Sequence, residues 1–163
     1  MMSEASRIPE LGARGGGWVA AQLALLVAIG ASAVVGLEWP APLRIPAYAV
    51  AALLIGLGLA LVVVGGIQLG SALTPFPAPR GGGELAAAGL YRLARHPMYG
   101  GGILVAAGWS LLFASVVGGV LTIALVVLFE LKARREEAWL ADHYPGYAEY
   151  RRATPRRFLP FVY

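Results

Sequence analysis

Two short stretches of this chain carry side chains that could do chemistry. The first runs from Gly89 to Gly100 and sets Tyr91, Arg95, His96 and Tyr99 immediately before an apolar run. Pro97 suits the first turn of a helix, where its missing N–H is not needed. The free N–H groups of such a turn would face an anionic or polar ligand. Gly100, Gly101 and Gly102 remove side chains from that turn, so a ligand or another helix can come close to the backbone. The second stretch holds Glu130, Arg134, Glu136 and Glu137 at the end of the last apolar run. Glu130, Arg134 and Glu137 have the spacing i, i+4, i+7 and share a helix face, while Glu136 points elsewhere. Carboxylates at a membrane interface cost free energy unless they are paired or used. Such a group can neutralise a sulfonium, accept from an amino group or hold a ribose hydroxyl. Plainer readings exist for each. Arg95 and His96 can be a basic membrane-flanking pair, Glu136 and Glu137 a solvated helix face, and the tail tyrosines interfacial anchors.

The elements that position these residues belong in a membrane. The chain has 163 residues, 58% hydrophobic and 13% charged, where a soluble domain carries about 25% charged residues. That is too little polar surface to cover a water-exposed exterior. There is no cysteine, which excludes disulfides, thiolate zinc sites and a cysteine nucleophile. His96 and His143 are the only histidines, too few for a multi-histidine metal site. The net charge of +4 comes from basic residues flanking apolar runs, which fits membrane orientation and anionic headgroups and implies no nucleic-acid partner.

The first apolar run covers residues 18–37, long enough to cross a bilayer, with Trp18 and Trp39 bracketing it. The N-terminal stretch ahead of it lacks a clear cleavage site, so the run reads as a retained helix. Residues 38–46 read as a short turn whose prolines end one helix and start the next. A second run covers 47–69, with Gln68 polar near its end. Residues 70–97 form a loop with Pro75, Pro77, Pro79 and three glycines at 81–83. The run 99–131 would span about 50 Å as one helix, against about 30 Å of hydrocarbon. Ala114-Ser115 and Gly118-Gly119 offer a break, predicting a hairpin over 98–113 and 116–132; a single tilted helix is the alternative. From Lys132 the chain is charged and aromatic. It continues as a helix to His143 and ends in a basic, tyrosine-rich tail.

Four spans put Arg7, Arg14, Arg80, Arg92, Arg95, Lys132, Arg134, Arg135, Arg151, Arg152, Arg156 and Arg157 on one side. Of the 13 Lys and Arg residues only Arg44 then lies opposite. The positive-inside rule makes the crowded side cytoplasmic, with both termini there. Three spans would weaken that asymmetry.

The order GLYRLARHPMYGG, apolar hairpin, EEAWL, YAEYRR and the proline of TPRRF resembles the isoprenylcysteine carboxyl methyltransferase family and related membrane phospholipid methyltransferases. The resemblance covers about residues 68–160. It implies S-adenosylmethionine as cofactor, with Leu85, Tyr91, His96, Pro97, Tyr99, Gly100, Glu136 and Glu137 lining the pocket. It also implies a basic residue on the substrate carboxylate, at Lys132 where the family has arginine; Arg134 or Arg135 could substitute. A carboxylate acceptor needs only a cation to orient it, Arg95 or Lys132. A thiol, amine or hydroxyl needs a base, for which Glu130, Glu137 and His96 are the choices.

The expectation is therefore one all-α membrane domain over residues 1–163, placed in the plasma membrane. A helix pair at 18–69 carries no motif. The methyltransferase core spans 70–163, with a cytoplasmic loop, a C-terminal amphipathic helix and catalytic candidates Arg95, Lys132 and Glu137. It would methylate a lipophilic small molecule or lipid without a metal. Replacing Glu4 or Glu149 by glutamine should not lower cofactor affinity. Membrane sterol reductases share a similar Arg-His-Pro-x-Tyr stretch on longer chains, so a nicotinamide-dependent reductase is one alternative. A non-enzymatic membrane scaffold is the other.

Overall fold

A computed structural model describes residues 11–12, 15–70, 73–74, 76 and 85–160, and every element in them is helical. Helix α1 spans Gly16–Ala31 and runs into a 3-10 turn, Ser32–Val35. Helix α2 spans Ala41–Leu69. A second 3-10 turn, Gly89–Arg92, precedes α3, Pro97–Leu112, and α4, Val116–His143. A short helix, α5, covers Tyr147–Ala153. Three segments are long and apolar enough to cross a membrane: Gly16–Val35, Ala41–Leu69 and Val116–His143. The shorter apolar α3 has 16 residues, about 24 Å of rise. The predicted all-α bundle of about four membrane helices is what the structure shows. Arg7, Arg14, Arg80, Pro75, Pro77, Pro79 and the glycines at 81–83, used in the sequence reading, lie outside the described residues.

The predicted hairpin is present, with its turn at Phe113–Ser115. Ala114 takes a left-handed φ of 48°. Ser115 caps α4 by accepting from the Gly118 N–H at 3.0 Å, and donates its hydroxyl to the Ser32 carbonyl at 2.9 Å. The Trp39 indole donates to the Leu111 carbonyl at 2.8 Å, which also accepts from the Ala114 N–H at 3.1 Å, so the turn is tied to the segment before α2. Gly118 and Gly119 do not break the chain. Gly118 is buried inside α4, where a Cβ would meet the Ser32 Oγ at 2.6 Å.

Three features differ from the sequence reading. Residues 41–46 are helix: Pro42 sits in the first turn, where its missing N–H costs little, and Pro46 is carried inside the helix with the loss of a backbone hydrogen bond. The first apolar run gives way after Ala31 to a 3-10 turn, and at Gly36 the chain passes so close to the Phe113 carbonyl that a Cβ would overlap it. Trp18 is not an interfacial anchor; it is buried.

The helices α2, α3 and α4 pack in that order, and α1 closes onto α4 and the edge of α3. The α2–α3 contact is backbone on backbone. A Cβ on Gly58 would stand 2.6 Å from the Gly101 carbonyl, and one on Gly101 the same distance from the Gly58 carbonyl. Small residues allow this approach where lipid supplies no hydrophobic drive between helices. The core is Ile29, Ala106, Leu125, Phe129, Ala133 and Phe158. Outward positions such as Leu53, Leu57 and Ile67 on α2, and Val120, Ile123 and Val127 on α4, are exposed, as expected where lipid is the solvent.

Candidate functional site

The two chemical stretches meet at one end of the bundle. Pro97 opens α3, and the backbone just before it is held by the chain's last segment. The Arg95 N–H donates to the Arg156 carbonyl at 3.1 Å, and the His96 N–H to the Arg157 carbonyl at 2.7 Å. Gly100 leaves room for this segment: a Cβ there would overlap the Phe158 carbonyl. The bare first turn of α3 therefore receives the chain's own tail, residues 154–158, against the expectation that it lies open to a ligand.

Around that junction lies a buried ionic network. The Arg95 Nε donates to Glu137 Oε1 at 2.9 Å, and its Nη1 donates to the carbonyls of Thr154 and Pro155 at 2.6 and 2.7 Å. The side chains of Arg95 and Glu137 are only 4% and 5% exposed. Arg157 donates its Nε to Glu137 at 3.2 Å and its Nη1 to Glu130 in a short contact. Glu130 also accepts from Arg134 at 2.7 Å, one helical turn on. Glu137 and Glu130, predicted to share a face, thus share Arg157 as well. Each charge out of water has a partner, which such burial requires.

Glu136 is different. Its Oε2 accepts from the Tyr99 hydroxyl at 2.7 Å and lies 3.8 Å from His96 Nδ1. Its side chain is 25% exposed, against 5% for Glu137. Tyr99 is fixed between rings: His96 at 5.3 Å and 3°, Phe129 at 4.7 Å and 12°, with Phe158 edge-on. The His96 Nε2 stands 3.3 Å from Glu137 but has no well-aligned hydrogen bond. Lys132, buried one turn from Glu136 toward the bilayer, has its Nζ 5.1 Å from the centre of the Tyr99 ring. It donates to Gln22 Oε1 of α1 at 2.6 Å.

Of the other predicted site residues, Tyr91 is buried. Its hydroxyl donates to the Gly65 carbonyl at 3.3 Å, and its own carbonyl accepts from Tyr150 at 2.7 Å. Burial, aided by Glu136, holds the Tyr91 phenol well above its ordinary range. Burial also pushes Tyr150 up to about 12, with Arg95 opposing and Glu137 adding to the rise. Both phenols are therefore neutral donors at physiological pH. The turn carrying Tyr91 is pinned by Gln68, whose Oε1 accepts from the Leu90 N–H at 2.8 Å. Gly89 has a φ of +60°, and a Cβ there would fall 2.5 Å from the Gln68 amide. Leu85 lies apart from the ionic network, in an open cleft of ≈ 600 Å³ with Ala87, Arg92, Glu149, Tyr150 and Thr154. The cleft adjoins the network through Tyr150 and Thr154. Glu149 lines it too; Glu4 lies outside the described residues.

Sequence reasoning missed Gln22, Arg157 and the carbonyls at 154 and 155 as parts of this site. Gln22 left one signal: with Ser32 it is the only polar side chain in the first apolar run. Arg157 stood in the quoted TPRRF, but nothing local pointed to Glu130 and Glu137. Among the described residues no three His, Cys, Asp or Glu are placed to hold a metal ion.

The sequence profile of the phospholipid methyltransferase family matches residues 46–146. Two curated relatives align with parts of the chain. A cobalt-zinc-cadmium resistance protein, CzcN, of Cupriavidus metallidurans is 35% identical over 103 residues, which is 63% of this chain and 46% of that protein. A Delta(14)-sterol reductase of Arabidopsis thaliana is 38% identical over 85 residues, 50% of this chain and 23% of that protein. The aligned stretch is less than half of either relative.

Proposed function

The chain belongs to the phospholipid methyltransferase family, and from that premise we propose that it transfers a methyl group from S-adenosylmethionine to a lipophilic acceptor at the membrane face. The observation that carries this reading is Glu136. It is a partly exposed carboxylate, aimed by the Tyr99 hydroxyl at the edge of the buried network. A cationic ligand fits that position, and the adjoining cleft beside Tyr150 offers space for its uncharged parts. His96 stands beside Glu136, its Nδ1 3.8 Å from the same carboxylate.

When bound, S-adenosylmethionine supplies an electrophilic methyl on a sulfonium. The protein's part is to bind, aim and exclude water. Glu136 holds positive charge, and Tyr99 fixes the carboxylate's direction. Lys132, one turn toward the bilayer, orients an anionic group on the acceptor. Positioning of this kind contributes much of the rate of a two-reactant displacement. Arg95 is committed to Glu137 and two carbonyls, so it organises the site from behind. If the acceptor must lose a proton, Glu130 and Glu137 are both held by guanidiniums, which leaves His96 as the remaining candidate base.

In this reading the cofactor end is cytoplasmic, because the basic residues crowd there. A reporter that is active only in the cytoplasm, fused after Tyr163, should be active; one inserted at Arg44 should be silent. The reverse pattern would overturn the orientation.

Purified protein in lipid nanodiscs should transfer labelled methyl from S-adenosylmethionine into lipids extracted from its native membrane. The similarity to a sterol reductase favours one competing reading, a nicotinamide-dependent reduction. No methyl transfer, together with lipid-dependent oxidation of a reduced nicotinamide, would replace the first reading by the second.

A further inference from the structure

We infer that α1, which lies outside the family-matched residues 46–146, belongs to the acceptor side of the site: Gln22 is a positioning residue that holds Lys132 over the Tyr99 ring. This inference rests on the methyltransferase reading for what Lys132 does, and on geometry alone for what Gln22 does.

Gln22 lies in the apolar body of α1, where a polar side chain is costly unless it is used. Its Oε1 accepts from the Lys132 Nζ at 2.6 Å, across 110 residues of sequence. Lys132 is 1% exposed and is the chain's single lysine; the other basic residues are all arginine. A lysine ammonium on a flexible stem takes its direction from what it touches. Here the Gln22 amide and the face of Tyr99 at 5.1 Å help fix that direction, with Glu136 one turn on attracting the same ammonium. The same ring carries the hydroxyl that aims Glu136. Along one face of α4, Phe129, Lys132 and Glu136 therefore run from apolar to cationic to anionic around one tyrosine. The cation lies on the bilayer side and the anion on the open side. Without the amide, the ammonium can leave the ring and the order of charges along that face is lost.

The single lysine makes this testable apart from activity. Gln22→Met keeps the volume and removes the acceptor; Gln22→Glu keeps an acceptor. Full-length protein in nanodiscs is treated with a water-soluble N-hydroxysuccinimide acetate, and peptide mapping separates Lys132 from the terminal amine. Loss of a hydrogen bond to a charged group predicts Lys132 acetylation about tenfold faster in Gln22→Met, with Gln22→Glu as slow as wild type. The neighbouring lipid-facing variant Leu23→Ala should behave as wild type. With the extracted lipids as acceptor and saturating cofactor, Gln22→Met should raise the half-saturating lipid concentration about tenfold and leave the plateau within about twofold. Affinity for S-adenosylhomocysteine should be equal in all four proteins. Wild-type acetylation and half-saturation in Gln22→Met would overturn the inference, as would failure of Gln22→Glu to restore them. If wild type transfers no methyl yet the acetylation pattern holds, the methyltransferase reading falls and the Gln22–Lys132 contact stands.

Discussion

Replacing Glu137 by alanine is expected to lower the midpoint of thermal unfolding by roughly 6–20 °C. Glu137 is the anion shared by Arg95 and Arg157, and its carboxylate is 5% exposed. Removing it strands the Arg95 guanidinium, itself 4% exposed, with only two carbonyls for company. Breaking one side of a buried pair costs about 3–5 kcal/mol, because the remaining charge stays out of water. For a chain of this size each kcal/mol moves the midpoint by about 2–4 °C. The damage should spread, since Arg95 and Arg157 are also what hold residues 154–158 against the start of α3. Glu38→Ala serves as a control, because Glu38 is 93% exposed and meets Arg44 only at 3.5 Å; exposed pairs of that kind contribute little. Thermal unfolding in one detergent checks all three proteins. A midpoint unchanged in Glu137→Ala would mean that the tail is held by something other than this network.

The helices were legible in the sequence because length and apolarity are enough to call for a membrane span. The break near Ala114 followed from arithmetic, since 33 apolar residues exceed what a bilayer needs. Pro46 misled because proline is read as a boundary, whereas α2 carries it inside the helix despite the lost hydrogen bond. Trp18 misled because an aromatic at the end of an apolar run is ordinarily interfacial, whereas here it has a buried place in the bundle. In the site, His96, Tyr99, Glu136 and Glu137 could be named from spacing and resemblance, yet their division of labour could not. Adjacent on one helix, Glu136 and Glu137 point about 100° apart, so one faces the ring of Tyr99 and the other faces two guanidiniums. Which does which depends on residues 154–158, and no local pattern announces that a C-terminal strap crosses the first turn of α3. Gln22 was hidden for the same reason: its partner is 110 residues away.

This division of labour leads to the second large effect. Glu136→Gln should keep its fold, because a glutamine oxygen can still accept from the Tyr99 hydroxyl. It removes the negative charge offered to a cationic ligand. Loss of a charge-assisted hydrogen bond is commonly about 1.5–3 kcal/mol, roughly ten- to a hundredfold in affinity. Glu137→Gln should instead lose stability first, and Glu149→Gln, at the rim of the cleft, should weaken binding less than Glu136→Gln. The most direct measurement is calorimetric affinity for S-adenosylhomocysteine in wild type and Glu136→Gln, with unfolding midpoints recorded on the same samples. The predicted result is clear binding by wild type, a loss of roughly ten- to a hundredfold in Glu136→Gln, and midpoints equal within about 2 °C, the shift that half a kcal/mol produces. Equal affinities in the two proteins would contradict the placement of the site at Glu136, and no binding by wild type would contradict the methyltransferase reading itself.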